Sequence, residues 1–217
     1  EWEQLLHRCQ ESSLTLAELM SRAGQLQSQG LGELACELYK AWLAHQEGPM
    51  RVVALYNMGS TLASIRKHAE AEQAYQQAKR ILHERLLATQ PDSPRWLRDL
   101  AVAHSKLGDV RMAQGQLDAA AQAFSESLAI NTQLVTLDPA NSSWQYGLAI
   151  TLAKLGQSYF YTGKPKAGVL LLRKAESQLS QLVQQSPDHA KWRASLLAMR
   201  QALRQLSQSP GKPKSKP

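Results

Sequence analysis

A step of 48 residues repeats through the second half of the chain and constrains the fold more than any other feature. A proline followed five positions later by a tryptophan occurs three times, beginning at Pro91, Pro139 and Pro187. Two sets of leucines keep the same step. Repetition at a fixed step of this length is typical of a solenoid, in which each repeat buries its apolar face against its neighbours.

A second pattern covers the whole chain. A small residue is followed twelve positions later by another small residue, and four positions after that by a large aromatic or aliphatic residue. The four sets are Ala23, Ala35 and Tyr39; Gly59, Ala71 and Tyr75; Gly108, Ala120 and Phe124; and Gly156, Gly168 and Leu172. Two antiparallel helices explain the spacing, because each small residue lies where the partner helix crosses closely. We expect the large residue, one helical turn further on, to fill the groove beside the next repeat.

A short turn separates the two helices of each set. Three of the four turns carry a glycine, at Gly30, Gly115 and Gly163. Glycine suits this place because a helix commonly ends on a residue in the left-handed conformation. The turn of the second set has Arg66 and Lys67 instead, so we expect that turn to be tighter or strained.

These features resemble the tetratricopeptide repeat (TPR) family. Residues 55–59, with Ala71, Tyr75 and Ala78, are close to the family signature, and the resemblance covers residues 13–206. It implies an all-α fold, a right-handed superhelical solenoid of about four TPR helix pairs with a C-terminal capping helix. The steps between successive small residues of the first helices are 36, 49 and 48. They exceed the usual TPR step of about 34 residues, and this excess predicts longer helices.

Two parts of the chain resemble narrower groups of TPR proteins. The third and fourth repeats are similar to a longer bacterial subtype that begins with Trp-x-Arg-Asp-Leu, here residues 96–100. Residues 33–81 are similar to the TPR region that precedes the catalytic domain in bacterial SPINDLY-type O-GlcNAc transferases. That similarity implies an alternative function, a substrate-selecting domain of a larger enzyme, although this sequence contains no glycosyltransferase domain.

The repeats predict how the chain is organised. A lead-in segment covers residues 1–12, and the solenoid covers residues 13–206. Its repeats are placed at about 13–45, 51–88, 94–137 and 142–184, with a capping helix at 189–206 and a basic tail at 207–217. The capping helix is apolar on one face and polar on the other, so we expect the solenoid to end there. The tail has no apolar residue to bury from Ser209 onward, so we expect it to be disordered.

Composition and motifs exclude several classes of protein. Two cysteines, Cys9 and Cys36, are too few for a disulfide-stapled scaffold or a four-cysteine zinc site. No apolar run approaches the roughly 20 residues that a membrane span needs. Because no phosphate loop or nucleophile elbow is present, we predict a protein that is not an enzyme and uses no cofactor or metal. We interpret His104 and Cys36 as core residues, and we expect a cytoplasmic location.

Positive charge is concentrated near the C-terminus. From Lys164 onward there are 11 basic and 2 acidic residues, a charge of +9, whereas residues 1–163 carry −2. A basic region of this kind could bind nucleic acid, which is a third hypothesis beside the scaffold and the enzyme domain. Few aromatic side chains are available there for stacking on bases, so the scaffold is favoured.

The first helix of each TPR pair lines the concave face of the solenoid in this family, and the resemblance implies that a peptide binds there. The predicted binding residues are Tyr56, Asn57 and Ser60 of the second repeat, Lys106, Asp109 and Met112 of the third, and Lys154, Gln157, Phe160 and Tyr161 of the fourth.

Three of these residues occupy one position in successive repeats. Asn57 is expected to bond a peptide backbone, while Lys106 and Lys154 favour a carboxylate group of the partner. An apolar pocket is predicted beside them, formed by Met112, Phe160 and Tyr161. The alternative is that both lysines are ordinary solvated surface residues.

The resemblance to chaperone-binding TPR domains is incomplete. TPR domains that clamp an acidic C-terminus have an asparagine and a basic residue at the places of Asn57 and Lys106. The other basic positions of such a clamp hold Met20 and Val102 here, so a complete clamp is absent. We therefore predict a non-catalytic scaffold or adaptor whose partner is a protein or peptide, acidic where it contacts the two lysines.

Overall fold

The computed structural model describes residues 2–208, apart from the side chains of residues 85, 86 and 206–208. Within these residues the secondary structure is helical throughout, which confirms the predicted all-α fold. The helices are α1 (Trp2–Gln10), α2 (Leu16–Ser28), α3 (Gly32–Ala44), α4 (Met50–Ser64), α5 (His68–Ile81), α6 (Pro94–Ala113), α7 (Leu117–Leu137), α8 (Ser142–Tyr161), α9 (Pro165–Gln185) and α10 (Ala190–Gln208). A π-helical segment, Leu82–Leu87, continues α5. The predicted tail lies outside the described residues from position 209 onward.

The chain divides into two compact units between Asp99 and Leu100, inside α6. The first unit contains the helix pairs α2–α3 and α4–α5, preceded by α1. The second unit contains the rest of α6, which pairs with α7, followed by the pair α8–α9 and by α10. The first and second helices of the pairs thus follow one another in the order that the repeat pattern predicts.

Aromatic rings cover the glycines of two helix pairs. A Cβ atom added to Gly59 of α4 would lie 2.7 Å from the Tyr75 ring of α5, and one added to Gly108 of α6 would overlap the Phe124 ring of α7. Phe124 also belongs to a buried cluster with Leu155 of α8. The ring therefore packs on the glycine of its own pair, and Phe124 in addition contacts the following pair as the spacing predicted.

The α8–α9 pair has no ring at this place, and its two glycines face each other. A Cβ atom on Gly168 would lie 2.5 Å from the carbonyl oxygen of Gly156 and 3.1 Å from the amide nitrogen of Phe160. Backbone therefore packs directly on backbone at this crossing, with Leu172 buried beside it.

All four turns between paired helices use a residue with positive φ. The angle is +78° at Gly30, +62° at Arg66, +76° at Gly115 and +78° at Gly163. Arg66 thus adopts the conformation of the three glycines. Of the two expectations for this turn, strain is the one observed, because a left-handed conformation is unfavourable for a residue with a Cβ atom.

Buried polar groups join the helices of the second unit. The Asn131 amide donates to the Thr151 hydroxyl at 3.1 Å, and the Ser127 hydroxyl donates to the carbonyl oxygen of Ala101 at 2.8 Å. His104 is buried with Nδ1 at 2.7 Å from a carboxylate oxygen of Glu126. His104 and Cys36 are both buried, which confirms their interpretation as core residues.

Candidate peptide-binding site

In the first unit, the predicted binding residues are Tyr56, Asn57 and Ser60 of α4. The hydroxyl of Tyr56 donates to the carbonyl oxygen of Asp99 at 2.5 Å, and its burial raises the pKa of Tyr56. Ser60 Oγ lies 3.0 Å from the hydroxyl of Tyr75. Both hydroxyl groups are therefore held by the protein itself.

Asn57 is half-buried on the same helix. Its side-chain nitrogen donates to the carbonyl oxygen of Val53 at 2.8 Å, one helical turn earlier. The amide oxygen has no donor among the described residues. Asn57 thus retains an acceptor for a peptide N–H, whereas one of its donors is bonded within α4.

In the second unit, two predicted binding residues form an ion pair with each other. Lys154 Nζ of α8 lies 2.6 Å from Asp109 Oδ2 of α6 and donates to Ser105 Oγ at 2.9 Å. The ammonium group also lies 5.8 Å from the centre of the Phe124 ring. Because Asp109 neutralises Lys154, the lysine is less available for a carboxylate of a partner than its sequence position suggested.

Lys106 of α6 is half-buried and is the other lysine predicted to bind a partner. No carboxylate lies within ion-pair distance of it among the described side chains. Positions 105, 106 and 109 of α6 and positions 154, 157 and 161 of α8 follow helical spacing, and the Lys154 contacts join the two helices. We call this surface the first-helix face: Ser105, Lys106, Asp109, Lys154, Gln157 and Tyr161.

The predicted apolar residues occupy different environments. Tyr161 is 47% exposed and packs edge-to-face on the half-buried Phe160, with ring centres 6.0 Å apart. Met112 packs instead against the buried cluster that contains Phe124 and Leu155. Tyr161 therefore supplies the exposed aromatic surface at the end of the first-helix face, while Met112 borders the core.

Sequence reasoning missed the ion pair, although a signal for it was present. Asp109 follows the glycine of its first helix by one position, and Lys154 precedes the glycine of the next first helix by two. Opposite charges at neighbouring positions of successive first helices indicate a cross-helix pair.

The described residues contain no group of three or more His, Cys, Asp or Glu side chains that could hold a metal ion. Within the same part of the chain, no helix is both long and apolar enough to span a membrane.

Comparison with curated protein sequences gives no match. Two family models described as tetratricopeptide repeat match residues 52–95 and residues 105–158. The chain therefore contains TPR repeats. Its similarity to the SPINDLY-type transferases remains a prediction.

Solved structures share the fold at low sequence identity. Yeast Hif1 has a TM-score of 0.65 at 12% identity, with 95% of this chain and 99% of Hif1 covered. The nearly identical TPR-like repeats of a Podosopora anserina protein have a TM-score of 0.60 at 18% identity, covering 89% and 97% of the two chains. MamA has a TM-score of 0.56 at 19% identity, covering 84% and 87%. At these identities the likeness concerns the fold alone, and the family models show the TPR repeats within residues 52–95 and 105–158.

Proposed function

We propose that the chain is a non-catalytic scaffold that binds a segment of a partner protein on the first-helix face. The observation that supports this proposal is the charge arrangement on that face. Lys154 is neutralised by Asp109 at 2.6 Å, whereas Lys106 has no acidic partner among the described side chains. Lys106 can therefore receive a carboxylate of the partner without breaking an existing ion pair.

The rest of the face suits a peptide that lies beside this contact. Gln157 is exposed and can both donate to and accept from a peptide backbone. Tyr161 offers an exposed ring for an apolar side chain of the partner. We therefore propose that the bound segment has an acidic residue near Lys106 and an apolar residue near Tyr161.

A scaffold role agrees with how one structural neighbour is described. Yeast Hif1 is described as a scaffold protein recruiting protein complexes to core histones. The shared fold presents long helix faces to a partner, which supports a binding role for this chain as well. The identity of the partner does not follow from the shared fold, because one fold serves many functions.

Affinity capture with single charge variants tests the proposal. The chain serves as bait beside the variants Lys106→Glu and Lys154→Glu, and captured proteins are identified by mass spectrometry. We expect a specific partner whose binding falls by about tenfold or more with Lys106→Glu, and by less with Lys154→Glu. Equal capture by the wild-type chain and Lys106→Glu would place the binding surface elsewhere on the molecule.

A further inference from the structure

A groove runs between α3 and α5 in the first unit, over residues that the first-helix face does not include. Two adjoining cavities of about 650 and 330 Å³ form it, and both are lined by Ala44, Arg51 and Gln77. The groove opens because α3 ends at Ala44, whereas α5 is continued by the π-helical segment Leu82–Leu87. The longer helix therefore has no helical neighbour from α3 along its last turns.

The α5 wall of this groove has the spacing by which one helix packs on another. Within α5 the lining residues Glu70, Ala74, Gln77 and Ile81 recur at steps of four and three, and Glu84 continues the wall in the π-helical segment. This spacing places the residues on one face of α5, against which a second helix can lie. From Glu70 to Glu84 the wall spans 15 residues, and an α-helix of that length is about 22 Å long.

The floor of the groove is apolar. Leu43 and Met58 line the smaller cavity, and each is 8% exposed. An apolar side chain of a bound helix can rest on these two residues. Apolar contact alone gives little specificity here, so the charged residues at the wider end of the groove decide what it binds.

Arg51 lies at that wider end in a fixed position. It is half-buried, and one of its terminal nitrogens donates to the carbonyl oxygens of Leu43 and Gln46, each at 2.5 Å. These bonds hold the guanidinium group at the C-terminal end of α3 without neutralising it by a carboxylate. Arg51 therefore presents a positive charge to the larger cavity.

Three further charged residues line the same cavity: Glu47, Arg80 and Glu84. Among the described side chains, neither these three nor Arg51 has an ion-pair partner. Some other charges of the first unit are paired, as in Arg8–Glu18 at 2.8 Å and Lys67–Glu33 at 2.9 Å. Two positive and two negative side chains thus line one cavity, and none of the four forms an ion pair with another described side chain.

This arrangement selects the charge pattern of the bound helix. A segment with acidic residues alone would be repelled by Glu47 and Glu84, and one with basic residues alone would be repelled by Arg51 and Arg80. We propose that the α3–α5 groove binds an amphipathic helix of a partner protein that carries one acidic, one basic and one apolar residue on the same face. This site is separate from the first-helix face and would let the scaffold hold two segments at once.

Titration of the isotope-labelled full chain with designed helical peptides tests this proposal. The first probe is a blocked alanine-based peptide of about fourteen residues, with Leu, Glu and Arg spaced on one helical face. Two matched probes replace its Arg by Glu or its Glu by Arg. We expect the mixed-charge probe to bind about tenfold more tightly than either single-sign probe, with NMR shifts at the amides of residues 44–47 and 77–84.

Variants of the chain assign the effect to the groove. Arg80 is exposed, so Arg80→Glu should leave the fold intact, weaken the mixed-charge probe and strengthen binding of the all-basic probe. Arg193→Glu in α10 makes the same charge change outside the groove and should leave all three affinities unchanged. Equal affinities of the three probes, amide shifts confined to α6 and α8, or no saturable binding would overturn the proposal. None of these outcomes tests the capture of a partner through Lys106. Binding in the α3–α5 groove can therefore be contradicted without contradicting binding on the first-helix face.

Discussion

The α4–α5 pair of the first unit and the α8–α9 pair of the second bring their helices together in different ways. In α4–α5 a tyrosine ring lies between the helices and covers Gly59, whereas in α8–α9 the backbones of Gly156 and Gly168 are in direct contact. The turns differ as well, because Arg66 occupies a left-handed position where the later pair has Gly163. The same repeat spacing thus accommodates either a ring or a second glycine at the helix crossing.

This difference decides how each crossing responds to added volume. A ring can shift in response to a new methyl group if its surroundings give way, but a backbone carbonyl held in a helix cannot move alone. We therefore expect the α8–α9 crossing to be the less tolerant of the two. Substitutions at the glycines test this difference.

The largest effect is expected from Gly168→Ala. Its Cβ atom would lie 2.5 Å from the carbonyl oxygen of Gly156, so the helices must separate. Overpacking outweighs the higher helix propensity of alanine, and we expect a net loss of about 2 kcal/mol in the free energy of unfolding. Urea denaturation followed by circular dichroism measures the change.

A control for Gly168→Ala is to remove the neighbouring side chain. Adding Leu172→Ala should not relieve the loss, because the clash is with backbone atoms. If the double variant were as stable as Leu172→Ala alone, direct backbone packing at this crossing would be contradicted.

A smaller and relievable effect is expected from Gly59→Ala. The added methyl group would meet the Tyr75 ring at 2.7 Å, and we expect a loss of about 1 kcal/mol in the free energy of unfolding. Tyr75→Leu gives this pair the residue that α8–α9 has at Leu172. The two changes should therefore couple favourably by about 1 kcal/mol in a double-mutant cycle. Strict additivity would show that the ring does not act as the spacer.

A substitution in the turn between α4 and α5 is expected to raise the free energy of unfolding rather than lower it. Arg66 has a φ angle of +62°, which is unfavourable for a residue with a Cβ atom. We expect Arg66→Gly to stabilise the chain by about 1 kcal/mol, less the entropy that glycine adds to the unfolded state. Gly163→Ala is the matched change at the α8–α9 turn and should destabilise by a similar amount. Thermal unfolding of both variants checks the two signs, and a loss of stability with Arg66→Gly would refute strain at this turn.

The smallest effect concerns acid sensitivity near the N-terminus of the first unit. A hydrogen bond from Arg8, together with those from Thr15, lowers the pKa of Glu18 from its ordinary value of 4.5 to about 2. A lowered pKa in the folded state gives a stabilisation that is present above pH 4.5 and is lost as the pH falls towards 2. The protection factors of the amides near the first turn of α2, which correct hydrogen exchange for its intrinsic pH dependence, should therefore fall over this range more in the wild-type chain than in Glu18→Gln. Identical pH dependence in both would contradict the assignment.

The sequence predicted the features that depend on spacing along a single helix. The small residues at positions 59, 108, 156 and 168 indicated three helix crossings. At each crossing the partner helix packs closely on the glycine, as expected. The order of the helices followed from the same pattern. Spacing is informative in these cases because helix geometry fixes which residues share a face.

Features that depend on contacts between helices were not predictable in the same way. The Lys154–Asp109 pair and the Asn131–Thr151 bond depend on interhelical distance and on side-chain rotamers. The candidate site shows the consequence. Lys106 and Lys154 hold equivalent positions in the sequence, yet an acidic neighbour neutralises only Lys154 among the described residues.

Site-specific photo-cross-linking tests the proposed scaffold function most directly. A photoreactive residue is placed at the exposed position Gln157 of α8 or, as a control, at the exposed position Gln184 of α9. We expect one protein segment to be cross-linked from position 157, hardly at all from position 184, and much less from position 157 when Lys106→Glu is added. Equal cross-linking from both positions, or cross-linking at 157 that is indifferent to Lys106→Glu, would contradict binding on the first-helix face.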